Sequence, residues 1–516
     1  MTKSKNLKGP IILISKPIAF TFPFGYAYLA GYLMEKGEDV KILFRPENPN
    51  DYEKFVDEVI NLNPLLVGLG TLYPDIYPVG DIIKIFKEKK CQFPLVIGGQ
   101  MVTPLPEFVT QITGADYGVI GEGEIILHNL VTALRNEEDT KDIKGLIINN
   151  SGKIINTGSG PFIQDMSKLP RVPYELFPAE KWLNVGRYYI FQPQPHWRYN
   201  DKIIDIHGGR GCPFNCNFCY HHSMPRYRSI SDMMNDAKMA IEKYDVNMLN
   251  FGDDLVVGSP VRARELVEGI KTLPKKIEFA LTCHFDVVSR FDDNLLLALK
   301  KAGLRNMGLG VESGSQKILD TINKKLKVEQ IREGFKRLKK FGIFPFVCIQ
   351  VGQLNETNED VQKSMNLMLE TLRENKHINW SFTITTPFPG TALYDIAMEK
   401  GLLKEHMDFY NKFNYGNRKL NLVVNLSKMT DQEINDWIKK LNKAYRKEKN
   451  RLIGKKVWII ERLRMRLFRA NEKLNKYIQK LPQNIITKLL IKTINKIHDH
   501  TQIALDFFRL YFLGVL

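Results

Sequence analysis

At 516 residues the chain is too long for one compact core, so two or three domains are expected. A hydrophobic content of 44% with 25% charged residues is ordinary for a soluble globular protein. Six cysteines over this length exclude a disulfide framework and point to a reducing compartment. The net charge of +17 is unevenly placed: Leu441 to Leu516 holds 18 Lys and Arg against 5 Asp and Glu, so the basic character belongs to the tail. Met1 to Gly9 is basic, but Pro17 and Pro23 interrupt the apolar stretch that follows and no small-residue cleavage site appears, so no secretory signal is expected. No apolar run approaches the ~20 residues of a membrane span.

Residues 8 to about 148 alternate strand and helix patterns. Ile11–Ser15, Asp39–Phe44, Leu65–Leu69, Pro94–Ile97 and Tyr117–Ile120 read as short buried strands. Tyr26–Lys36, Tyr52–Leu62, Val79–Lys89 and Pro106–Thr113 read as amphipathic helices. Such alternation predicts a doubly wound, Rossmann-like parallel sheet, with ligands at the carboxyl ends of the strands. The candidate loops are Gly68-Leu69-Gly70-Thr71, Gly98-Gly99 and Gly121-Glu122-Gly123-Glu124. Each also reads as a plain strand-to-helix turn. Residues 149 to 200, punctuated by Gly and Pro, read as an irregular linker.

Alternation resumes at Ile203. Strand-like runs at Ile203–His207, Val246–Phe251, Ile277–Thr282, Arg305–Val311, Phe344–Val351 and Ile378–Thr386 predict six β-α units and a complete or partial parallel barrel. Ser259-Pro260 is a helix start of the N-cap and first-position proline type. Residues 401 to 516 read as a helical extension ending in the basic tail.

The first barrel strand leads into Gly208-Gly209-Arg210-Gly211-Cys212-Pro213-Phe214-Asn215-Cys216-Asn217-Phe218-Cys219-Tyr220, which places three cysteines in eight residues. The spacing Cys-x3-Cys-x2-Cys suits a cubane iron–sulfur cluster with one iron left open. A zinc site completed by His221 or His222 is the competing reading. Cys91, Cys283 and Cys348 read as buried apolar residues.

Cys212, Cys216 and Cys219, with Phe218 just before the last, resemble the signature of the radical S-adenosylmethionine (SAM) superfamily. The resemblance implies that the three cysteines carry a [4Fe-4S] cluster, that SAM chelates the open iron, and that one electron cleaves SAM to a 5′-deoxyadenosyl radical. It extends to Asp253 and Asp254 after the second strand, near the SAM amino group, and to Glu312 after the fourth, at the ribose. Thr386-Pro387-Phe388-Pro389-Gly390-Thr391 matches the loop that closes the sixth. Carboxylates suit these roles because charge-assisted hydrogen bonds are strong. Capping of the following helices is the other reading of all three acids. The N-terminal loops, with Thr71, Gly98, Gly99, Gly121, Glu122 and Gly123, resemble those of radical SAM proteins that carry a cobalamin-binding domain, which implies cobalamin as a further cofactor. Departures are present. No Asp-x-His-x-x-Gly motif offers cobalt a His ligand, a motif that many such relatives also lack. His284 stands where relatives often carry Arg, and Gly352-Gln353-Leu354-Asn355-Glu356-Thr357 replaces Gly-x-Pro-Gly-Glu-Thr.

The expected organisation is a cobalamin-binding-type domain over 1–148, a linker over 149–200, a radical SAM barrel over 201–400 and a helical region over 401–516. The expected activity is modification of an unactivated carbon, above all cobalamin-dependent C-methylation. Cyclisation or carbon–carbon coupling is the alternative, and a non-catalytic metal protein docked at a membrane the third. An RNA methylthiotransferase needs three further N-terminal cysteines, and only Cys91 is there. A one-electron donor such as flavodoxin or ferredoxin is implied. In the tail, Ile453, Val457, Ile460, Leu463 and Leu467 recur at helical spacing among Lys455, Lys456, Arg462, Arg464, Arg466 and Arg469. This basic amphipathic pattern predicts peripheral membrane contact by a cytoplasmic protein and a lipid or other hydrophobic substrate. A helical cap on the barrel is the plainer reading. Nucleic acid is the third, weakened because stacking aromatics are not interleaved.

Overall fold

The computed structural model describes residues 8–16, 22–70, 72–183, 198, 200–220, 224–413, 422–478 and 485–513. The chain forms two compact units, each assembled from three stretches. One comprises Met1–Ala179, His207–Asp236 and Thr386–Asn425; the other comprises Glu180–Ile206, Ala237–Thr385 and Leu426–Leu516.

The first unit is built on a seven-stranded sheet. Its strands are β1 (Ile11–Ser15), β2 (Val40–Phe44), β3 (Leu66–Leu69), β4 (Leu95–Ile97), β5 (Tyr117–Val119), β6 (Leu146–Asn150) and β7 (Lys153–Asn156), in the order β2-β1-β3-β4-β5-β6-β7. The first five are parallel. Ile11 to Ile14, Leu65 to Val67 and Leu95 to Ile97 are buried, as strands covered on both faces must be. Strand order reverses between β1 and β3, the point at which doubly wound sheets open a ligand crevice. Tyr26, on the helix Phe24–Glu35, holds that point together: its hydroxyl lies 2.6 Å from the Ile14 carbonyl and also meets that of Gly70. Gly70 takes a φ of +112°, and a Cβ there would stand 2.6 Å from the Gly98 carbonyl, so the turns after β3 and β4 meet only because this residue is glycine.

The stretch expected to be irregular from 149 begins instead with a hairpin. β6 pairs antiparallel with β5 and with β7, and the Ser151-Gly152 turn takes φ values of 52° and 93°. Two positive-φ residues form the turn that two-residue hairpins favour. The sheet therefore runs to Asn156, past the boundary at 148.

The second unit contains β8 (Ile203–Asp205), β11 (Met248–Phe251), β12 (Glu278–Cys283), β13 (Leu304–Glu312), β14 (Phe344–Val351) and β15 (Asn379–Ile384); β9 (Gly209–Arg210) and β10 (Arg226–Tyr227) belong to the first unit. All six are parallel in the order β15-β14-β13-β12-β11-β8, each beside its neighbour in sequence, as six β-α units require. Their carboxyl ends consequently share one edge. At the opposite edge, buried Arg305 is paired with Asp201 and Glu278. Of the three remaining cysteines only Cys283 is buried; Cys91 and Cys348 are partly exposed.

The tail forms two long helices, Asp431–Ile478 and Ile485–Leu513. The first packs on the helix Asn358–Glu374 and on β15, where buried Lys449 donates to the carbonyls of Ile378 (3.0 Å) and Lys376. Gly454 interrupts the helix with a φ of 81°. Beyond it the two helices pair antiparallel around four buried charges: Arg464 reaches Glu461 (3.2 Å) and Asp506 (3.3 Å), and Arg509 reaches Asp506 (2.6 Å) and Glu461 (3.4 Å). Ion pairs of this kind fix register more than they add stability. Ile453, Val457 and Ile460 are buried, but Leu463 and Leu467 face outward, at 43% and 37% exposure. The expected single stripe is thus divided between two faces. No described helix is long and apolar enough to cross a membrane.

Candidate functional site

The three cysteines lie between the strands of a short antiparallel ribbon, β9 (Gly209–Arg210) and β10 (Arg226–Tyr227). Gly209 permits the pairing, since a Cβ there would stand 2.6 Å from the Arg226 carbonyl. Cys216 is buried, Cys212 partly exposed and Cys219 exposed. The Cys219 amide donates to the Cys216 carbonyl at 3.1 Å, which closes the end of the loop. Phe218 is partly buried. The Thr386–Thr391 loop packs against this region: the Leu393 amide donates to the Asn217 carbonyl (3.1 Å), and Gly390, at a φ of +81°, makes room for the Tyr220 ring. Tyr73 donates to the Pro389 carbonyl (2.8 Å) and stacks on Phe388. Burial raises the Tyr73 phenol well above its ordinary pKa, with Tyr220, Tyr410 and Cys219 adding to the effect. Thr71, His221 and His222 lie outside the described residues.

The ribbon is gripped by the turn after β5. Glu122 pairs with Arg226 and with Arg210 (2.8 Å), and Glu124 pairs with Arg210 (2.5 Å). The two arginines hold the Glu122 carboxyl below its usual range against the opposing effect of burial. Arg210 also lies over the Tyr28 ring at 5.3 Å, and Arg226 over Phe162 at 4.8 Å. His207, just before the ribbon, is buried and hydrogen-bonded through Nδ1 to the Tyr28 hydroxyl at 3.0 Å. Burial and then the charges of Arg210 and Arg228 push its pKa well down, so the imidazole is neutral. Nearby, the Thr103 hydroxyl donates to the Gly99 carbonyl and accepts from the Gly121 amide, both at 3.0 Å, which ties the turns after β4 and β5. Gly98 is extended, whereas Gly99 and Gly121 take positive φ. A Cβ on Gly123 would stand 2.9 Å from Leu29.

In the second unit, candidate acids follow the carboxyl ends of the strands. Asp253 and Asp254 come after β11, the first partly buried and the second exposed. Glu312 ends β13 at a φ of 68°, a strained conformation for a residue with a side chain. Its carboxylate accepts from Lys324 Nζ (3.1 Å) and Gln350 Nε2 (2.8 Å). Gly310 leaves space for this arrangement: a Cβ there would meet Glu312 Oε1 at 2.5 Å and Lys324 Nζ at 2.6 Å. None of the three acids caps the next helix, because Ser259 and Ser315 occupy those N-cap positions. The capping reading is thereby removed. His284, after β12, accepts from the Asp286 amide at 3.2 Å, and burial with Lys324 and Arg290 lowers its pKa to about 3.

The turn after β14 holds a further buried acid that the sequence reading did not single out. Glu356 accepts from the amides of Gly352 (2.7 Å) and Gln353 (3.2 Å) through Oε2, while its Oε1 is buried with no hydrogen-bond partner. Burial pushes its pKa up to about 8, so the carboxyl is largely protonated at neutral pH. Asn355 takes a φ of 59°, in the left-handed region that asparagine tolerates better than most side chains.

The loop's donor set fits a cubane. Three thiols come from one short segment, Cys212 to Cys219. In a [4Fe-4S] cluster each thiolate binds its own iron, so the sulfurs do not have to converge. In the sheet of the first unit, the glycine turns at the switch edge fit a flat cofactor approaching the backbone.

Comparison with known proteins agrees with these features. Residues 11–131 match the family model described as B12 binding domain, and residues 206–368 match that of the Radical SAM superfamily. The chain is 28% identical to an uncharacterised methyltransferase of Pyrococcus horikoshii, over 82% of this chain and 86% of that protein. It is 27% identical to the anaerobic magnesium-protoporphyrin IX monomethyl ester cyclase of Rubrivivax gelatinosus, over 76% of this chain and 68% of that protein. The fold is similar to that of the radical SAM methyltransferase TsrM from Kitasatospora setae, with cobalamin and a [4Fe-4S] cluster bound, at a TM-score of 0.59 and 19% identity, covering 76% of this chain and 75% of that one.

The Glu356 carboxyl gives a test by pH. An unfolded chain ionises this group near its ordinary value of about 4.5, whereas the folded one keeps its proton to about 8. Its contribution is therefore fully present below the lower value and is lost as pH rises through the upper one. Urea titrations of wild type and Glu356→Gln at several pH values should show the variant gaining in relative stability between pH 5 and pH 8. A difference that does not vary with pH contradicts the assignment.

Proposed function

Since the chain is a radical SAM enzyme with an N-terminal B12 binding domain, and its cofactors are a [4Fe-4S] cluster, SAM and cobalamin, we propose that it methylates an unactivated carbon of a hydrophobic substrate. The observation that carries this reading is the cysteine loop: three cysteines in eight residues, framed by a ribbon whose two arginines are ion-paired. Cys212, Cys216 and Cys219 would ligate three irons, with Phe218 flanking the last. When bound, these cofactors supply a 5′-deoxyadenosyl radical from SAM and a methyl group from cobalamin. Asp253 and Asp254 are the candidates for the SAM amino group. Glu312 is the candidate for its ribose, and Lys324 and Gln350 hold that carboxylate in a single orientation. Thr71, Gly98, Gly99, Gly121, Glu122 and Gly123 form the proposed cobalamin-facing turns. A second reading, ring closure without methyl transfer, draws on the likeness to the cyclase.

The choice of a hydrophobic, membrane-held substrate comes from the tail. At roughly 100° per residue, the exposed side chains Ile459, Leu463, Leu467 and Leu474 fall in an arc of about 80° on their helix. Lys455, Arg462, Arg466, Arg469 and Lys473 fill the adjacent arc of about 60°. The antiparallel pairing brings exposed Phe507, Phe508 and Tyr511 to the same end of the hairpin as Trp458 and Ile459. An apolar stripe beside a basic one suits an anionic bilayer surface, where each Lys or Arg is worth ~1 kcal/mol.

Two experiments test the proposal. Anaerobically reconstituted protein with SAM and dithionite should form 5′-deoxyadenosine and retain added hydroxocobalamin after desalting. Cys216→Ala should lose the cluster and the product. A wild-type protein that holds a cluster but leaves SAM intact refutes the catalytic reading, and one that releases all its hydroxocobalamin refutes methyl transfer. In flotation assays the chain should rise with phosphatidylglycerol vesicles at low salt but not with phosphatidylcholine, and a Phe507→Glu/Phe508→Glu variant should stay behind. Absence of wild-type binding to the anionic vesicles removes the membrane surface from the account.

A further inference from the structure

The first unit places two functions of the chain on neighbouring turns. The turn after β5, Gly121 to Glu124, lies at the carboxyl edge of the sheet and is tied by Thr103 to the turn after β4. The same turn supplies both carboxylates that grip the ribbon of the cysteine loop. Arg210 is two residues before Cys212, and its partner strand begins at Arg226, so the ion pairs fix both ends of the cysteine-bearing segment. The exposure of the four side chains is low: 4% for Glu124, 9% for Arg226, 17% for Arg210 and 19% for Glu122. Charges this far from water are costly unless paired, so the alternation Glu124–Arg210–Glu122–Arg226 has few alternative arrangements of similar energy.

A purely structural role would need only a neutral packed contact between the turn and the ribbon. What is present is a four-member charged network with two bidentate-capable arginines, the residue type that fixes orientation most firmly. The ribbon itself has two residues in each strand and would not hold its shape unaided. The acidic turn of the sheet thus helps to set the orientation of the cysteine loop, beside the contacts within the loop and from Leu393.

We propose that Glu122 and Glu124 are positioning residues for the cluster, and that through them a corrinoid seated on the turns after β4 and β5 stiffens the cysteine loop. The network is the shared element: whatever immobilises the Gly121–Glu124 turn also immobilises Arg210 and Arg226. The inference rests on the reading of Cys212, Cys216 and Cys219 as cluster ligands. It goes further in assigning control of that cluster to the acidic turn after β5.

The test is the rate at which the reconstituted full-length protein releases iron to bathophenanthroline, with and without hydroxocobalamin. Partners that orient metal ligands are worth about 10- to 100-fold in metal retention, so Glu124→Gln should release iron roughly tenfold faster than wild type. Hydroxocobalamin should slow release from wild type and leave the variant's rate unchanged. Arg226→Lys, which keeps the charge and loses the fork, should behave in the same direction and serves if Glu124→Gln does not fold. Circular dichroism of each variant separates loss of the grip from loss of the fold. A folded variant that releases iron at the wild-type rate, or that responds to hydroxocobalamin as wild type does, overturns the proposal. A wild-type protein that takes up no cluster fails on the earlier reading instead, and the two failures are distinguishable.

Discussion

Parallel strand pairing is the constraint on which the remaining structure depends. A parallel pair needs a crossover, and repeated crossovers of one hand deliver every strand-to-helix turn to the same edge of the sheet. The chain uses this twice. In the first unit the rule collects the turns after β3, β4 and β5. In the second it collects the residues after β11, β12, β13 and β14, among them Asp253, His284, Glu312 and Glu356. By connectivity the cysteine loop leaves the carboxyl end of β8, the edge strand of that second sheet. Within each unit, topology thus brings residues that are far apart in sequence to one edge of the sheet.

The polar groups at these edges are held by specific partners. Glu312 is strained at its backbone and fixed at its carboxylate by Lys324 and Gln350, and Gly310 is needed for their approach. His207 and His284 are kept neutral by burial and by nearby cations. Glu356 is pushed the other way and retains its proton. Such groups cost stability, and their concentration where the strands end is the expected signature of a binding edge.

Much of this was legible in the sequence because it depends on local pattern. Apolar runs of four or five residues separated by amphipathic stretches specify parallel strands, and both sheets follow from them. Cysteine spacing specifies a metal loop whatever its surroundings. The hairpin after β6 escaped because Asn149 to Gly152 was read as the start of a linker, although it lies between Ile147-Ile148 and Ile154-Ile155. The outward turn of Leu463 and Leu467 escaped for a different reason: helical periodicity gives the apolar residues, but only the pairing of the two tail helices decides which of them are covered. Long-range partners were out of reach altogether. Nothing near Arg210 in sequence names Glu122 and Glu124, and nothing near Glu312 names Gln350. The paired acids of Gly121-Glu122-Gly123-Glu124 and the lone arginine inside the cysteine loop were the only hints.

The central claim is that the cysteine loop carries a cluster with one iron open to SAM. Electron paramagnetic resonance of the dithionite-reduced protein, recorded with and without SAM, tests it most directly. The account predicts a [4Fe-4S]+ signal whose g values move when SAM is added. A reduced cluster whose spectrum is indifferent to SAM, or a purified protein that holds stoichiometric zinc and no iron, would contradict it.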